Sequence, residues 1–318
     1  MSIFTITGGA GFIGSHLAGA LLADGHRVRI VDDFSTGRIE NLDPRCEIMR
    51  GDVCDPRLLR RALLGSAGCF HLAAIASVVR ANEDWVGTHR VNLGGTVAVL
   101  DAARALGGLP VVYASSAAVY GRLETVADEN CPAAPLTAYG ADKRGSELHA
   151  IAGSLVHGLP TLGLRFFNVY GPRQDPHSPY SGVISIFARA AASRQPVTIH
   201  GDGQQSRDFI FVRDIVCILL SGMAALLDGK PGVSGTVLNA CTGRETAVLE
   251  LAQVIGEVLG CEIATRQGPA RAGDIRRSVG SPGLASKVLG LTAAGVELRA
   301  GLGVTVEALT ERARLMSA

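Results

Sequence analysis

Short apolar runs alternate with amphipathic stretches through the first half of the chain. Five of these runs are predicted strands, at residues 3–7, 27–31, 46–50, 69–72 and 111–114. The stretches between them have the spacing of apolar positions that is typical of helices. Alternating strands and helices predict a parallel sheet with right-handed crossovers and a ligand at the carboxyl ends of the strands. The pattern therefore predicts a doubly wound α/β fold.

A glycine loop connects the first predicted strand to the first predicted helix, with Gly8, Gly11 and Gly14 spaced three residues apart. Glycines at such positions allow a tight turn, a close approach of the backbone to a pyrophosphate, and close packing of helix on strand. The helix N-terminus offers N–H groups to anionic oxygens. The loop is therefore predicted to bind a dinucleotide, although its spacing differs from the Gly-x-Gly-x-x-Gly of simple dehydrogenases.

Asp32 ends the second predicted strand, about 20 residues beyond the glycine loop. A carboxylate at this place binds the ribose hydroxyls of NAD and repels the 2′-phosphate of NADP, so NAD is the predicted cofactor. Arg38 leaves NADP as the alternative, because a basic side chain beyond this strand could accept a phosphate. Asp33 is interpreted as a turn residue.

Ser116 follows the fifth predicted strand, and Tyr139 and Lys143 lie four residues apart on the next predicted helix. That spacing puts the phenol and the ammonium on one helix face. A phenol with a pKa of about 10 is a poor base at neutral pH, but a nearby cation lowers its pKa. The Ser116 hydroxyl could share the hydrogen bond of a reacting alcohol. These are candidate catalytic residues, although a surface Tyr and Lys on an ordinary helix would give the same spacing.

Composition narrows the class of protein. The 318 residues are 47% hydrophobic and 19% charged, which fits a compact enzyme. The formal net charge of +1 disfavours general electrostatic binding to nucleic acid or to an acidic membrane. Seven scattered cysteines without a Cys-x-x-Cys pair indicate reduced thiols and a cytoplasmic protein rather than disulfides or zinc. No signal peptide is visible, and the longest apolar block, 215–227, is too short to span a bilayer. No metal site is predicted, since His71, His89 and His200 form no cluster.

Several motifs in a fixed order resemble those of the extended short-chain dehydrogenase/reductases, and within them most closely those of the nucleotide-sugar 4-epimerases. The motifs are Thr7-Gly-Gly-Ala-Gly-Phe-Ile-Gly14, Asp32, Gly51-Asp52, His71-Leu-Ala-Ala74, Ser115-Ser-Ala-Ala-Val-Tyr-Gly121, Tyr139-x-x-x-Lys143 and Arg165-Phe-Phe-Asn-Val-Tyr-Gly-Pro-Arg173. The resemblance covers nearly the whole chain. It implies a Rossmann-type sheet with a smaller mixed α/β substrate domain at the C-terminal side. Arg165, which precedes the paired phenylalanines, is interpreted as a buried ion-pair partner.

The resemblance implies an NAD-dependent enzyme that inverts C4 of a UDP-hexose through a 4-keto intermediate, with Tyr139 as the base. The residues expected to hold NAD are Gly8, Gly11, Phe12, Ile13, Gly14, Asp32, Phe34, Ser35, Thr36, Gly37, Asp52, Val53, Leu72, Ala73, Ala74, Asn92, Ser115, Tyr139, Lys143, Phe166 and Val169. The residues expected to hold the UDP-sugar are Ser77, Ser116, Tyr139, Asn168, Val183, Thr198, Ile199, His200, Arg207, Arg271 and Asp274. Arg207 and Arg271 suit a diphosphate, because guanidinium groups bind oxyanions bidentately.

The predicted NAD-binding domain spans residues 1–167, with a return segment at 211–240. The predicted substrate domain comprises 168–210 and 241–318, and the loop 174–183 is expected to close over the nucleotide. A homodimer formed through two helices per subunit is implied by the resemblance, and apolar faces near 91–105 and 143–156 permit it.

Three other readings remain open. Arg173, Arg189 or Arg194 could meet a sugar carboxylate, which would suit a UDP-glucuronate 4-epimerase or decarboxylase. A 4,6-dehydratase is disfavoured because Ala117 and Ala118 supply no acid, and a non-catalytic NAD-sensing protein is disfavoured because Ser116, Tyr139 and Lys143 occur together. Ser278 is small where related epimerases limit space at the sugar C2 substituent, so N-acetylhexosamines are expected to be accepted.

Overall fold

The computed structural model describes residues 1–174, 183–192, 195–269, 275–291 and 295–317. Its strands, in chain order, are β1 (Ile3–Thr7), β2 (Arg27–Asp32), β3 (Glu47–Arg50), β4 (Gly68–His71), β5 (Val111–Ser116), β6 (Thr161–Phe166), β7 (Asn168–Tyr170), β8 (Val197–His200), β9 (Ser206–Arg207), β10 (Phe209–Phe211), β11 (Thr236–Ala240), β12 (Thr246–Ala247), β13 (Thr265–Gly268) and β14 (Arg277–Ser278).

The α-helices, in chain order, are α1 (Phe12–Ala23), α2 (Pro56–Leu63), α3 (Val78–Glu83), α4 (Trp85–His89), α5 (Gly95–Ala105), α6 (Ala138–His157), α7 (Val183–Ala192), α8 (Val212–Leu227), α9 (Val248–Leu259), α10 (Gly283–Leu289) and α11 (Leu298–Ser317). A π-helical segment, Arg90–Gly94, connects α4 to α5, and a short 3-10 helix, Ala117–Val119, follows β5. No helix within the described ranges is long and apolar enough to cross a bilayer.

The main sheet is parallel and has the strand order β11-β6-β5-β4-β1-β2-β3. The chain adds β2 and β3 on one side of β1, then crosses to add β4, β5 and β6 on the other. Loops diverge at such a reversal and leave a crevice at the carboxyl ends of the strands. The Rossmann-type α/β prediction is therefore confirmed, with the crevice located between β1 and β4.

Apolar residues on both faces hold the sheet between two helix layers. Ile6, Ile30 and Phe70 are fully buried in a cluster that includes residues of α1 and α8. A separate cluster joins α2, α5 and α6 to the opposite face. Strands buried on both faces are characteristic of parallel sheets. The long apolar block near 215–227 is accordingly the buried helix α8, as predicted.

The central helix α6 has clear start and stop signals. Thr137 accepts a hydrogen bond on its side-chain oxygen from the Gly140 N–H at 3.1 Å, which satisfies an otherwise unpaired donor of the first turn. Gly158 ends the helix in the left-handed conformation, with φ 62°. These caps fix the first turn of α6, which carries Tyr139, against the end of β5.

The second half of the chain adds smaller sheets beside the carboxyl edge of the main sheet. These pair β10 with β7, β13 with β8, and β12 and β14 with β9. A second apolar cluster, built from α7, α9, β8 and β10, supports them. β7 begins two residues after β6 ends, so Asn168 is placed directly at the crevice. β11 returns to pair with β6 at the edge of the main sheet.

Candidate active site

A cavity of about 690 Å³ occupies the crevice at the carboxyl ends of the central strands. Its walls come from the glycine loop, the ends of β2, β4 and β5, the first turn of α6, and the segment after β6. Ligand sites in doubly wound folds occur at this position, and the volume is within the usual range for pockets that hold small molecules or cofactors. The candidate catalytic residues and the predicted dinucleotide loop therefore border the same space.

The glycine loop lies so close to the next strand that side chains would collide there. Gly8 has φ +71°, and a Cβ on it would be 2.6 Å from the backbone nitrogen of Ala73. A Cβ on Gly14 would collide with the carbonyl oxygen of Gly8. The loop therefore forms a backbone-lined cradle at the start of α1, where N–H groups can meet a pyrophosphate.

The buried carboxylate of Asp32 organises the loop around the end of β2. One of its oxygens accepts a hydrogen bond from the Ala10 N–H and the other from the Phe34 N–H, each at 2.9 Å. Burial raises the pKa of Asp32 from its usual value, and these two hydrogen bonds counteract that effect. A Cβ on Gly37 would be 2.8 Å from Asp32 Oδ1, so the loop wraps closely around the carboxylate.

Phe34 adopts a left-handed backbone conformation with φ 61°, which is rare for a bulky residue. The hydrogen bond to Asp32 and the Arg50 guanidinium, 5.5 Å from the ring centroid, hold it there. Asp33 accepts hydrogen bonds from the backbone N and the hydroxyl of Ser35, which is the behaviour expected of a turn residue.

Ser116, Tyr139 and Lys143 meet at the floor of the cavity. Ser116 Oγ accepts a 3.1 Å hydrogen bond from the Ala118 N–H. Burial raises the pKa of Tyr139, and the neighbouring Ser116 hydroxyl opposes that rise. The Lys143 ammonium lies 5.9 Å from the Tyr139 ring centroid and donates a 2.8 Å hydrogen bond to the Ala114 carbonyl. Burial lowers the pKa of Lys143 to about 8, an effect that Asp142 and Glu147 oppose.

A buried ionic network lies behind these residues. Glu147 is fully buried and accepts hydrogen bonds from Ser115 at 2.5 Å, from Arg165 at 2.8 and 2.9 Å, and from Arg144 at 2.8 Å. Arg165 also donates to the Tyr120 hydroxyl at 2.8 Å. Burial alone would raise the pKa of Glu147, but the hydrogen bonds from its partners lower it overall. This network ties α6 to the ends of β5 and β6, and the prediction that Arg165 is a buried ion-pair partner is confirmed.

Asn92 is buried and joins the π-helical segment Arg90–Gly94 to the loop after β4 without lining the cavity. Its amide accepts a 2.8 Å hydrogen bond from the Ile75 N–H and donates a 3.2 Å bond to the Ile75 carbonyl. Ile75 itself lines the cavity. Asn92 therefore shapes the cavity wall through Ile75, and direct contact with the cofactor remains a prediction.

The structure brings most of the predicted NAD-binding residues to the cavity. Those that line it are Gly8, Gly11, Phe12, Ile13, Gly14, Asp32, Ser35, Thr36, Gly37, Asp52, Val53, Leu72, Ala73, Ala74, Ser115, Tyr139, Lys143, Phe166 and Val169. Phe34 and Asn92 do not line it. Asp52 accepts hydrogen bonds from the Cys54 N–H at 2.9 Å and from Arg90 at 2.7 Å, so both its oxygens already have partners in the protein.

The predicted substrate residues are spread more widely. Ser116, Tyr139, Asn168 and Val183 line the cavity, whereas Ser77, Thr198, Ile199, His200 and Arg207 do not. Ser77 caps α3 by accepting the Arg80 N–H at 3.1 Å, and Arg207 donates to the carbonyls of Ser206 and Ile275 at 2.8 and 2.7 Å. Arg271 and Asp274 lie outside the described residues, as does most of the predicted closing loop.

Several cavity residues were not predicted as ligands of NAD or sugar: Asn41, Ala76, Arg80, Asp84, Gly87, Arg90, Ile184 and Phe209. Arg173, predicted only as a possible partner of a sugar carboxylate, also lines the cavity. Its left-handed backbone, φ 67°, is unusual for arginine and is a mark of functional loops, but a sequence does not reveal it. Within the described residues, no group of histidine, cysteine and carboxylate side chains could hold a metal ion.

The cavity fits NAD in both shape and chemistry. The backbone cradle at Gly8 and Gly14 leaves room for a pyrophosphate at the start of α1, Asp32 offers a carboxylate at the ribose position, and Lys143 and Tyr139 reach the far end. Small residues, Ala73 and Ala74, line the wall between these ends.

Comparison with known proteins agrees with this geometry. Residues 4–240 match the model of the NAD dependent epimerase/dehydratase family. A UDP-glucose 4-epimerase of Mycolicibacterium smegmatis is 37% identical over 310 residues, covering 95% of this chain and 96% of its own. The UDP-N-acetylglucosamine 4-epimerase of Methanobrevibacter ruminantium, solved with UDP-N-acetylmuramic acid, has a TM-score of 0.92 at 30% identity, covering 98% and 99%. MoeE5, solved with UDP-glucuronic acid and NAD, has a TM-score of 0.85 at 34% identity, covering 97% and 99%.

Proposed function

Because the chain belongs to the NAD dependent epimerase/dehydratase family, we propose that it inverts C4 of a UDP-hexose. The observation that carries the proposal is the meeting of Ser116, Tyr139 and Lys143 in one cavity with the glycine cradle and Asp32. NAD, when bound, supplies the acceptor and donor of the C4 hydride. The protein's own residues manage the proton and the orientation of the sugar.

Tyr139 takes the proton from the C4 hydroxyl and returns it after the sugar has turned over. Burial makes the phenol a weaker acid than it is in water, so the phenolate needs stabilisation. Two groups provide it: the neighbouring Ser116 hydroxyl, and Lys143 through its positive charge, 5.9 Å from the ring centroid. A base positioned in this way contributes about 100- to 10,000-fold to a rate.

The nucleotide and the sugar need different degrees of restraint. The 4-keto sugar has to present both of its faces to the nicotinamide, so the protein makes few contacts with the sugar ring. Contacts with the diphosphate hold the substrate in place. We assign Asn168 and Val183 of the cavity wall to the substrate, with Arg207, Arg271 and Asp274 as proposed ligands of the UDP. Ser77, Thr198, Ile199 and His200 complete the proposed set.

The sugar range is proposed to include N-acetylhexosamines, because Ser278 is small at the position that would limit the C2 substituent. A relative named as a UDP-N-acetylglucosamine 4-epimerase shares the fold over 98% of this chain, which supports the assignment. A UDP-glucuronate 4-epimerase or decarboxylase is the second candidate. Arg173 favours it, because this arginine lines the cavity and its guanidinium could meet a carboxylate. A solved relative at 34% identity holds UDP-glucuronic acid.

The protein is further proposed to act in the cytoplasm as a homodimer. Its seven cysteines are unpaired, which suits a reducing compartment. No nucleic-acid or membrane partner is proposed, and the two-domain division at residues 167, 211 and 240 is retained as part of the proposal.

Replacing Tyr139 with Phe tests the mechanism. Tyr139→Phe should retain NAD but lose at least about 100-fold in C4 interconversion, because the base is removed and the cavity is not. Tyr113→Phe is the matched control: the Tyr113 hydroxyl is buried and has no hydrogen-bond partner among the described residues, so this variant should remain fully active. Full activity in Tyr139→Phe, measured by product chromatography, would refute the mechanism.

A panel of UDP-sugars tests the substrate. UDP-glucose, UDP-N-acetylglucosamine and UDP-glucuronate should be offered singly and as equal mixtures, with products separated by chromatography. Interconversion of both neutral sugars is expected. Exclusive use of UDP-glucose would contradict the role given to Ser278, and exclusive use or decarboxylation of UDP-glucuronate would select the second candidate. Arg173→Gln should then lower uronate turnover selectively.

A further inference from the structure

Asp142 is a buried carboxylate within the catalytic turn of α6 that the mechanism does not use. Its side chain is 5% exposed, and it lies directly before Lys143. One oxygen, Oδ1, is 2.7 Å from Nδ1 of His89, whose side chain is 56% exposed. The other, Oδ2, has no hydrogen-bond partner within the described part of the chain. A buried carboxylate with an unpaired oxygen lowers the stability of the fold, so its presence needs an explanation.

The surroundings of Lys143 indicate the role of Asp142. Five titratable groups surround it: Tyr139, Asp142 and Glu147 on α6, His71 on β4, and His89 on α4 through Asp142. His71 is buried and neutral near pH 7, since burial lowers its pKa to about 3. Of these groups, the two carboxylates favour a charged lysine, since both raise the pKa of Lys143.

The two carboxylates are compensated to different degrees. Glu147 accepts hydrogen bonds from two guanidinium groups, those of Arg165 and Arg144, which offset its negative charge. Asp142 has only the largely exposed ring of His89, which water screens. Asp142 therefore exerts the larger net attraction on the Lys143 ammonium, and His89 anchors it between α4 and α6.

We propose that Asp142, anchored by His89, is a positioning residue that keeps Lys143 protonated and so extends the working range of the site to higher pH. The effect of Asp142 on the charge of Lys143 does not depend on the proposed function, whereas the effect on activity rests on it. Asp142 does not line the cavity formed by the described residues. Its effect on Lys143 can therefore be measured separately from turnover.

The composition makes that measurement direct. The chain contains only three lysines, at 143, 230 and 287, and the latter two are exposed. Lysine labelled with ¹³C at Cε should give three resolvable signals, and burial lowers the pKa of Lys143 to about 8. The exposed pair are internal standards in every spectrum.

In Asp142→Asn, the titration midpoint of Lys143 should fall by at least about 0.5 pH unit, because a nearby negative charge has been removed. Lys230 and Lys287 should not move. The alkaline limb of turnover should move down by the same amount, while activity near pH 6.5 is preserved within about threefold. Asp142→Glu should restore part of the shift. Asp101→Asn, which removes an exposed carboxylate paired with Arg104 on α5, is the matched control and should leave Lys143 unchanged.

An unmoved Lys143 midpoint in folded Asp142→Asn would overturn the proposal. Should this variant fail to fold, Asp142→Ser carries the same expectation. A shifted midpoint in a protein that does not interconvert C4 epimers would uphold the proposal for Lys143 and refute the proposed function, so the two failures are distinguishable.

Discussion

His71 shows how burial fixes the charge of a single side chain. It lies between Thr7 and Thr96, with Nδ1 2.7 Å from one hydroxyl and Nε2 3.0 Å from the other. Burial, and to a smaller degree the charge of Lys143, lowers its pKa to about 3. Both hydroxyls can be satisfied by the neutral ring, so protonation would place an unpaired charge in the interior.

The consequence is an acid-sensitive fold. Between pH 6.5 and about 3 the unfolded chain binds a proton at His71 that the folded chain does not, so stability falls as pH falls. At pH 4.5 this amounts to about 2–3 kcal/mol of lost stability relative to pH 7. His71→Asn should reduce the slope of unfolding free energy between pH 7 and 4.5, measured by urea denaturation. The exposed His149→Gln should leave that slope unchanged, and an unchanged slope in His71→Asn would refute the assignment.

Site residues could be predicted from the sequence where their role follows from local structure, and were missed where it depends on tertiary structure. Gly8, Gly14 and Asp32 were predictable because their roles follow from local backbone geometry at a strand end. Phe34 was expected at the cofactor only from the family resemblance, yet its left-handed backbone turns it toward Arg50. Arg173 reaches the cavity only because β7 and its following loop fold back over the sheet, and no local pattern encodes that approach.

At the scale of elements, four of the five predicted strands agree with the observed ones to within one residue, and β5 extends two residues further, to Ser116. β2 extends to Asp32, β3 begins at Glu47, and β4 runs from Gly68 to His71. The network around Glu147 was only half anticipated, since Arg165 was identified and its partner was not. A signal was present: Glu147 lies four residues after Lys143 and therefore on the same side of α6.

That network predicts that the junction of α6 with β5 and β6 depends on one carboxylate. Glu147→Gln should destabilise the fold by about 3–5 kcal/mol, because Arg165 would remain buried without its counter-charge. Thermal and urea unfolding would measure this loss. A gentler variant, Ser115→Ala, breaks only the 2.5 Å hydrogen bond to Glu147 and should cost about 1 kcal/mol.

The matched comparison is Arg144→Ala, which removes a partner whose side chain is 33% exposed. Its cost should stay within about 1 kcal/mol, since water replaces an exposed ion-pair partner readily. Equal destabilisation by Arg144→Ala and Glu147→Gln would show that the buried Arg165 is not the controlling partner.

At the scale of the whole molecule, α5 and α6 present apolar side chains to solvent along one surface. Leu148 is 52% exposed, Leu155 81%, Val156 73% and Val97 37%, and a groove of about 230 Å³ runs between the two helices. An apolar surface of this kind on two adjacent helices suits a self-complementary four-helix contact between copies. This is the surface assigned to the proposed homodimer.

A charge placed in that surface should separate the subunits. Leu155→Glu would bury a carboxylate against the partner's apolar helices, a cost that an interface of ordinary size cannot offset at micromolar concentration. Sedimentation velocity should show a dimer for the unmodified protein and a monomer for Leu155→Glu. Leu136→Glu is the matched control, since Leu136 is 59% exposed but lies in the loop before α6, and that variant should remain dimeric. A Leu155→Glu protein that sediments like the unmodified one would exclude this surface as the dimer interface. Since Tyr139 and Lys143 lie on the same helix, the activity of the monomer would show whether their geometry depends on the dimer.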